Sequence, residues 1–391
     1  RAEGRVIFVP RSAPGDIARV LLQDKGRFAR GEIVELVRAS SSRVDPPCPH
    51  YTGDRCGGCQ LQHLAYDAQL EAKGRIIVDS LERIGRRTVT LGEVRAGARP
   101  WRYRRKLTLA MRRRRDGGWI AGLHPYDDPD AVFALGDCPI TDERVVATWK
   151  AILAQSRLFP KVPRLRGAVR LLDEGASFVL EGGRQWRHGQ ALLDAVPELR
   201  AVWWAPEESR PRLVARRDER ATTGASFAQV NVAVGEALHD HVAARVASYA
   251  PASVVDAYAG TGDTAERFAR SGARVTAIEL DREAADYAAT RLAPPSRSVR
   301  GRVEDHIAAA LPADVVVINP PRSGIDVRVA DALQQASPPP RAVIYVSCDP
   351  ATLARDLTRM PRYRVASAIA FDMFPQTAHV ETVCELVPEA A

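Results

Sequence analysis

The sequence predicts an α/β protein: a doubly wound sheet at the C-terminal end, preceded by a small OB-like β-barrel and a central α+β region. Three observations predict it. From about residue 226 onward, strand-like and helical segments alternate, as a parallel sheet with crossover helices requires. The first 44 residues instead offer three short β patterns separated by turn signals. Between them lies a stretch that mixes helical and strand-like runs around a bunch of cysteines. A chain of 391 residues exceeds one ordinary core, so a division into 1–44, 45–225 and 226–391 is expected.

Composition narrows the function classes. Hydrophobic residues make up 46% and charged residues 27%, with no run of eighteen apolar residues and no signal-peptide pattern, so a cytoplasmic protein away from membranes is expected. The chain opens on Arg1, not Met, so some N-terminal sequence is expected to be missing. A formal charge of +8 permits a polyanionic partner. Six cysteines in a chain of this length argue against a disulfide framework.

Taken in order, the barrel strands are predicted at Arg5–Val9, Ile17–Leu22 and Gly31–Val37. Cys48, Cys56 and Cys59 follow, with Gly57 and Gly58 between the last two, and Cys138 comes much later. Glycines let several thiolates turn towards one centre, and a fourth can arrive from elsewhere. Four thiolates suit tetrahedral zinc or an iron–sulfur cluster; a zinc ribbon normally offers two close pairs, so three plus one leans towards a cluster. The spacing differs from the Cys-x3-Cys-x2-Cys of radical enzymes. Leu70, Ile76, Ile77, Leu81 and Ile84 fit one helical face from Tyr66 to Gly85, which reads as scaffold. Arg99 to Arg115 carries nine basic residues, no acid, and the aromatics Trp101 and Tyr103. Leu107, Leu109 and Met111 alternate there as one strand face, so the basic residues flank a real element suited to phosphate contacts, with aromatics placed to stack on bases. A helix at Asp142–Leu158 and strand-like runs at Ala168–Leu172, Ser177–Leu180 and Ala201–Trp204 complete the central region.

In the last region the strands are predicted at Ser253–Ala257, Arg274–Ile278, Ser298–Arg302, Ala313–Ile318, Ala342–Val346, Tyr363–Ala370 and Val380–Val387. Their carboxyl ends carry the chemistry, as open α/β sheets dictate. After the first come Gly260 and Gly262, which let the backbone approach a ligand, and at the tip of the second stands Glu279, able to hold two ribose hydroxyls. No third glycine follows, and Asp256 and Asp263 make an acidic mouth that would repel a pyrophosphate yet suits an ammonium. S-adenosylmethionine fits that description better than a nicotinamide dinucleotide. The fourth strand ends in Asn319-Pro320-Pro321-Arg322, and the fifth in Cys348, with a helix predicted from Pro350. A helix start beside the sulfur is expected to favour its thiolate, which makes Cys348 a candidate nucleophile. An Asn-Pro-Pro motif without a following aromatic, paired with this cysteine, points to methylation at a ring carbon.

Six segments in order, CGGCQLQH, SFAQVN, DAYAGTG, NPPRSG, VSCDPATLARD and FDMFPQTAHVE, resemble the RNA uracil-5-methyltransferases, specifically the bacterial 23S rRNA branch with a TRAM domain and a four-iron four-sulfur (4Fe-4S) cluster. The resemblance spans nearly the whole chain. It implies a class I methyltransferase sheet, a TRAM-like barrel over 1–44 and an iron–sulfur domain over 45–225. It implies that Cys48, Cys56, Cys59 and Cys138 are cluster ligands, and that Gln229, Tyr258, Asp263 and Glu279 contact S-adenosylmethionine, with Asn319 beside the methyl group where many members have Asp. Cys348 matches the nucleophile and Glu381 the general base. The partner expected is 23S rRNA, with a tRNA uridine as the alternative substrate and a non-catalytic RNA-binding factor as the rival from another class; no obligate protein partner is inferred.

Overall fold

The protein is described by a computed structural model covering residues 6–207, 209–217 and 229–389. Arg5, the start of SFAQVN (residues 226–228) and the boundary expected at 225 lie outside the described residues. The chain forms two compact units, one of Arg1–Gln69, Arg99–Ala225 and Pro375–Ala378, the other of Leu70–Ala98, Ser226–Phe374 and His379–Ala391.

In the first unit, Val6–Phe8, Ile17–Asp24 and Phe28–Arg38 make a three-stranded sheet with Phe28–Arg38 in the middle. Among the described residues no further strand closes it into a barrel, because three strands are too few to wrap a cylinder. The central sheet has seven strands in the order Arg212–Arg216, Leu199–Ala205, Ala176–Glu181, Arg164–Leu171, Lys106–Arg113, Trp119–Leu123, Phe133–Ala134. Period-two alternation sends Leu107, Leu109, Met111, Leu165 and Val169 to one face, where they bury against Val145, Trp149 and Ile152 of the Glu143–Ala154 helix. Asp142 caps that helix by accepting from the Arg144 amide. Gly167 leaves room for the Trp149 ring, which no side chain there would.

The second unit holds an eight-stranded sheet ordered Arg297–Arg300, Arg274–Glu279, Ser253–Ala257, Val315–Ile318, Ala342–Ser347, Glu381–Pro388, Tyr363–Phe371, Leu91–Arg95. The first five are mutually parallel; Glu381–Pro388 runs antiparallel to both neighbours. Val315–Ile318 and Ala342–Ser347 are buried at every position, as strands covered on both faces must be. The eighth strand, Leu91–Arg95, pairs parallel with Tyr363–Phe371 and is not legible in the sequence: five residues with a glycine and no fully buried position give no β pattern. In the Tyr66–Arg83 helix, Ile77 and Leu81 enter this unit's core, whereas Ile76 and Ile84 turn outward, so the apolar face is narrower than expected.

The Lys73 side chain of that helix is wholly buried and paired with the equally buried Asp372, with a second bond to the Phe374 carbonyl at 3.0 Å. Lys73→Met alone is expected to lower the unfolding free energy by about 3–5 kcal/mol in urea titration, because it strands a buried carboxylate. Lys73→Met with Asp372→Leu should recover most of that loss.

Candidate functional site

The ligand-facing edge of the second unit lies where the strand order reverses, between Ser253–Ala257 and Val315–Ile318. Gly260 and Gly262 have φ of +55° and +80°, and a Cβ on Gly262 would stand 2.9 Å from that of Ala288. The turn therefore needs glycine. The Gly260 amide donates to Glu279 Oε2 at 2.8 Å and the Asp281 amide to Oε1 at 2.7 Å, so Glu279 is held rigidly at its strand tip. Tyr258, also at positive φ, opens the same loop, and Asn319 follows the adjacent strand with its amide bound to the Ala257 carbonyl at 3.2 Å. These residues are brought to one edge. Gln229, by contrast, packs on Gly235 in the first turn of the Val232–Ala247 helix.

The acidic mouth is less negative than the sequence suggests. Burial pushes Asp256 up to about 7, while Thr264 Oγ1 donates to it at 2.7 Å. Asp263 is paired with Arg291; burial would raise its carboxyl, but the guanidinium outweighs it and holds the group below the usual range. The expected repulsion of a pyrophosphate is thus weakened by a cation that sequence spacing did not connect to this loop.

Cys348 directly follows the Ala342–Ser347 strand. That strand pairs antiparallel with Glu381–Pro388 as far as Ser347 opposite Thr382, so Cys348 and Glu381, the residues just past this last pair, stand at the same end of the ladder, and the Glu381 charge acts on the Cys348 thiol. Glu381 is 8% exposed, and burial pushes its carboxyl up to about 7, opposed by the Arg322 guanidinium. Burial, then the Glu381 charge, also raise the Cys348 thiol, while Arg322 again pulls the other way. This corrects the thiolate expectation. Pro350 supplies no amide hydrogen at the helix start, and the Thr352 amide is taken by the Asp349 side chain at 2.9 Å. The Asn-Pro-Pro-Arg loop is held by Asp356, which accepts from the Ile325 amide at 2.9 Å and the Tyr345 hydroxyl at 2.7 Å.

In the first unit, Cys48, Cys56, Cys59 and Cys138 all line one cavity of about 210 Å³. Burial pushes Cys56 up to about 11 and Cys59 up to about 12, and neighbouring cysteine charges add to both shifts. Among the described residues, no group of three or more His, Cys, Asp or Glu side chains is placed to hold a metal ion. The basic stretch divides in two. Arg102 is spent on Asp137 at 2.7 Å and on the Cys138 carbonyl at 3.0 Å, bracing the cysteine loop. Tyr103 is 7% exposed and its hydroxyl donates to the Pro375 carbonyl at 3.0 Å, so it is no stacking platform.

The Glu381 shift has a stability consequence. The folded state holds this proton to about pH 7, against an ordinary value of 4.5. Its contribution is therefore fully present below 4.5 and is lost as pH rises through 7. Glu381→Gln, which cannot ionise, should gain roughly 1–3 kcal/mol relative to the unmodified chain between acidic and mildly alkaline pH, read from paired urea titrations.

Among the described residues, no helix is long and apolar enough to cross a membrane. A family model described as tRNA (uracil-5-)-methyltransferase matches residues 297–387. An uncharacterised RNA methyltransferase of Gloeobacter violaceus is 33% identical, covering 98% of this chain and 92% of its own. A 23S rRNA (uracil(1939)-C(5))-methyltransferase of Acidithiobacillus ferrooxidans is 31% identical, again over 98% of this chain and 92% of its own. The solved Pyrococcus abyssi tRNA (uracil-54, C5)-methyltransferase, bound to S-adenosyl-L-homocysteine, covers 97% of this chain and 95% of its own with a TM-score of 0.68 and 24% identity, a likeness of fold. The second unit's sheet is thus a class I methyltransferase sheet, and the chain belongs to the RNA uracil-5-methyltransferase family, as an S-adenosylmethionine-dependent RNA (uracil-5-)-methyltransferase.

Proposed function

We propose that the chain methylates carbon 5 of an RNA uridine through a covalent bond between Cys348 and the base. The observation that carries this reading is the placement of Cys348 and the buried Glu381, whose carboxyl is pushed up to about 7, at the same end of one strand ladder. Gly260, Gly262, Tyr258, Asp263, Glu279 and Asn319, with Gln229, would hold S-adenosylmethionine, which supplies an electrophilic methyl group; the glycine turn that a Cβ would fill and the fixed Glu279 suit it. Cys348, its thiol proton given up to solvent, bonds through sulfur to uracil carbon 6, and the π pair of the ring double bond moves to give enolate character at carbon 5. Carbon 5 takes the methyl group, whose bond to the sulfonium sulfur breaks with the electron pair staying on sulfur, so that neutral S-adenosyl-L-homocysteine departs. Glu381 then removes the carbon 5 proton, the double bond re-forms, and the carbon–sulfur bond breaks to release the thiolate. A carboxyl near 7 can do this at neutral pH, and Arg322 favours the ionised form of both groups.

The four cysteines, which line one cavity, would hold a 4Fe-4S cluster. Nothing in the steps above needs an electron, so its role is structural. The divisions at 44 and 225 into a TRAM-like region, an iron–sulfur region and the methyltransferase region, and a cytoplasmic location, belong to the same reading.

For the substrate, the matching family and the fold neighbour are both named for tRNA, which brings a tRNA uridine ahead of 23S rRNA. The Acidithiobacillus relative, named for 23S rRNA, keeps that RNA as the second reading.

Unmodified tRNA and 23S rRNA incubated with anaerobically purified protein and labelled S-adenosylmethionine should yield 5-methyluridine in one RNA by mass spectrometry. Cys348→Ala should abolish it. No 5-methyluridine in either RNA from a cofactor-binding sample would overturn the proposal. Stoichiometry of about four iron and four sulfide per chain, lost in Cys59→Ala, is expected of the cluster.

A further inference from the structure

The loop that carries Asn319 and Arg322 is fixed in its backbone and free at one side chain. Gly324 turns it at φ +80°, where a Cβ would collide with Asp356, and the Gly324 amide closes the turn on the Pro321 carbonyl at 2.8 Å. The Pro350–Thr358 helix, which begins just past Cys348, holds this turn from one side. Thr352 Oγ1 donates to the Arg322 carbonyl at 3.2 Å, and Arg355 donates to the Ser323 carbonyl at 2.6 Å and to Asp356 at 2.8 Å. The Arg322 guanidinium takes no part in this bracing. It is exposed and, among the described residues, has neither a hydrogen bond nor an ion pair.

The sheet brings that free cation to the reacting edge. Val315–Ile318 and Ala342–Ser347 run parallel with Ile318 opposite Tyr345, so the Asn-Pro-Pro-Arg loop and Cys348 leave the sheet at the same end. Ser347 opposite Thr382 puts Glu381 at that end too. The Arg322 charge acts on both the Cys348 thiol and the Glu381 carboxyl, yet it pairs with neither. A cation that braced the fold would be spent, as Arg355 is. When sulfur bonds to carbon 6 of a uracil, the displaced π pair is shared between carbon 5 and the oxygen on carbon 4; the oxygen on carbon 2 is not conjugated with carbon 5. Carbon 5, where Glu381 acts, is bonded to carbon 4, so a cation beside Glu381 stands on the side of the oxygen that gains charge. A fixed donor waiting where charge develops is an effective form of transition-state stabilisation.

We propose that Arg322 donates to the oxygen on carbon 4 of the target uracil and stabilises the negative charge that gathers there when Cys348 adds to the ring. The proposal rests on the covalent reading of Cys348 and Glu381. Arg322 keeps its proton throughout. In methyl transfer the carbon 4–carbon 5 π pair goes to the methyl carbon, the carbon–sulfonium pair stays on sulfur, and the carbonyl at carbon 4 re-forms. The same oxygen takes charge a second time when Glu381 removes the carbon 5 proton, before the bond to Cys348 breaks, so one guanidinium serves both steps.

The test uses the full chain as Arg322→Gln and Arg322→Lys. Single-turnover formation of 5-methyluridine in unmodified tRNA and in 23S rRNA, with S-adenosylmethionine saturating, should slow about a hundredfold or more in Arg322→Gln. Arg322→Lys, which keeps the charge and loses the planar fork, should recover part of that rate. Affinity for the RNA by anisotropy and for S-adenosyl-L-homocysteine by calorimetry should stay within about twofold, since the interaction is made as charge develops and not in the ground state. Covalent attachment to 5-fluorouridine RNA should slow as well, because addition is one of the two steps the cation serves. An unchanged single-turnover rate would overturn the proposal. So would a rate restored at saturating RNA with weakened RNA binding, which would assign Arg322 to a phosphate. Weakened S-adenosyl-L-homocysteine binding with equal slowing in Arg322→Lys would also overturn it and make Arg322 a brace of the loop. Turnover by the unmodified chain with no adduct on 5-fluorouridine RNA would end the covalent reading and this proposal with it, whereas an adduct formed at the ordinary rate by Arg322→Gln would overturn this proposal alone.

Discussion

The antiparallel pairing of the Ala342–Ser347 and Glu381–Pro388 strands is the constraint on which the site depends. It sets two groups from positions far apart in the chain side by side, without any loop having to find its place. A one-residue slip would turn Cys348 or Glu381 to the opposite face, and the burial of Tyr345, Val346, Val383 and Cys384 resists such a slip. The same burial removes water from the pair. It is the largest cause of the raised Glu381 carboxyl and of the raised Cys348 thiol, so packing and acid–base character have one origin.

Around this pair the sheet supplies precision and the loops supply contact. The glycine turn after Ser253–Ala257 is fixed by Glu279, and the Asn-Pro-Pro-Arg loop is fixed by Asp356, itself bonded to Tyr345 of the central strand. Arg322 links the two halves electrically, acting on both Cys348 and Glu381. The first unit adds a seven-stranded sheet whose one face packs against the Glu143–Ala154 helix and whose other face carries a smaller buried cluster beside Arg164 and Arg166.

Much of this was legible in the sequence. Long apolar runs such as Ala342 to Val346 and alternation such as Leu107, Leu109, Met111 declare their strands because burial repeats with the strand's own period. The glycine turn and the cysteine after a strand announce the chemistry because few other residues can stand there. What stayed hidden depends on pairing. Arg291 with Asp263 and Lys73 with Asp372 join residues whose separation in the chain carries no period. At Cys348 burial, which no sequence period reports, outweighs the helix start, where Pro350 has no amide hydrogen and Asp349 takes the Thr352 amide.

The central claim is that Cys348 bonds to the base and Glu381 removes the carbon 5 proton. RNA in which 5-fluorouridine replaces uridine tests it most directly, since fluorine cannot leave as a proton does and the adduct cannot break down. Incubation with S-adenosylmethionine followed by peptide mass spectrometry should find a methylated fluorouridine fragment attached at Cys348, absent from Cys348→Ala. Ordinary turnover of uridine RNA with no such adduct, or an adduct at another residue, would contradict the account.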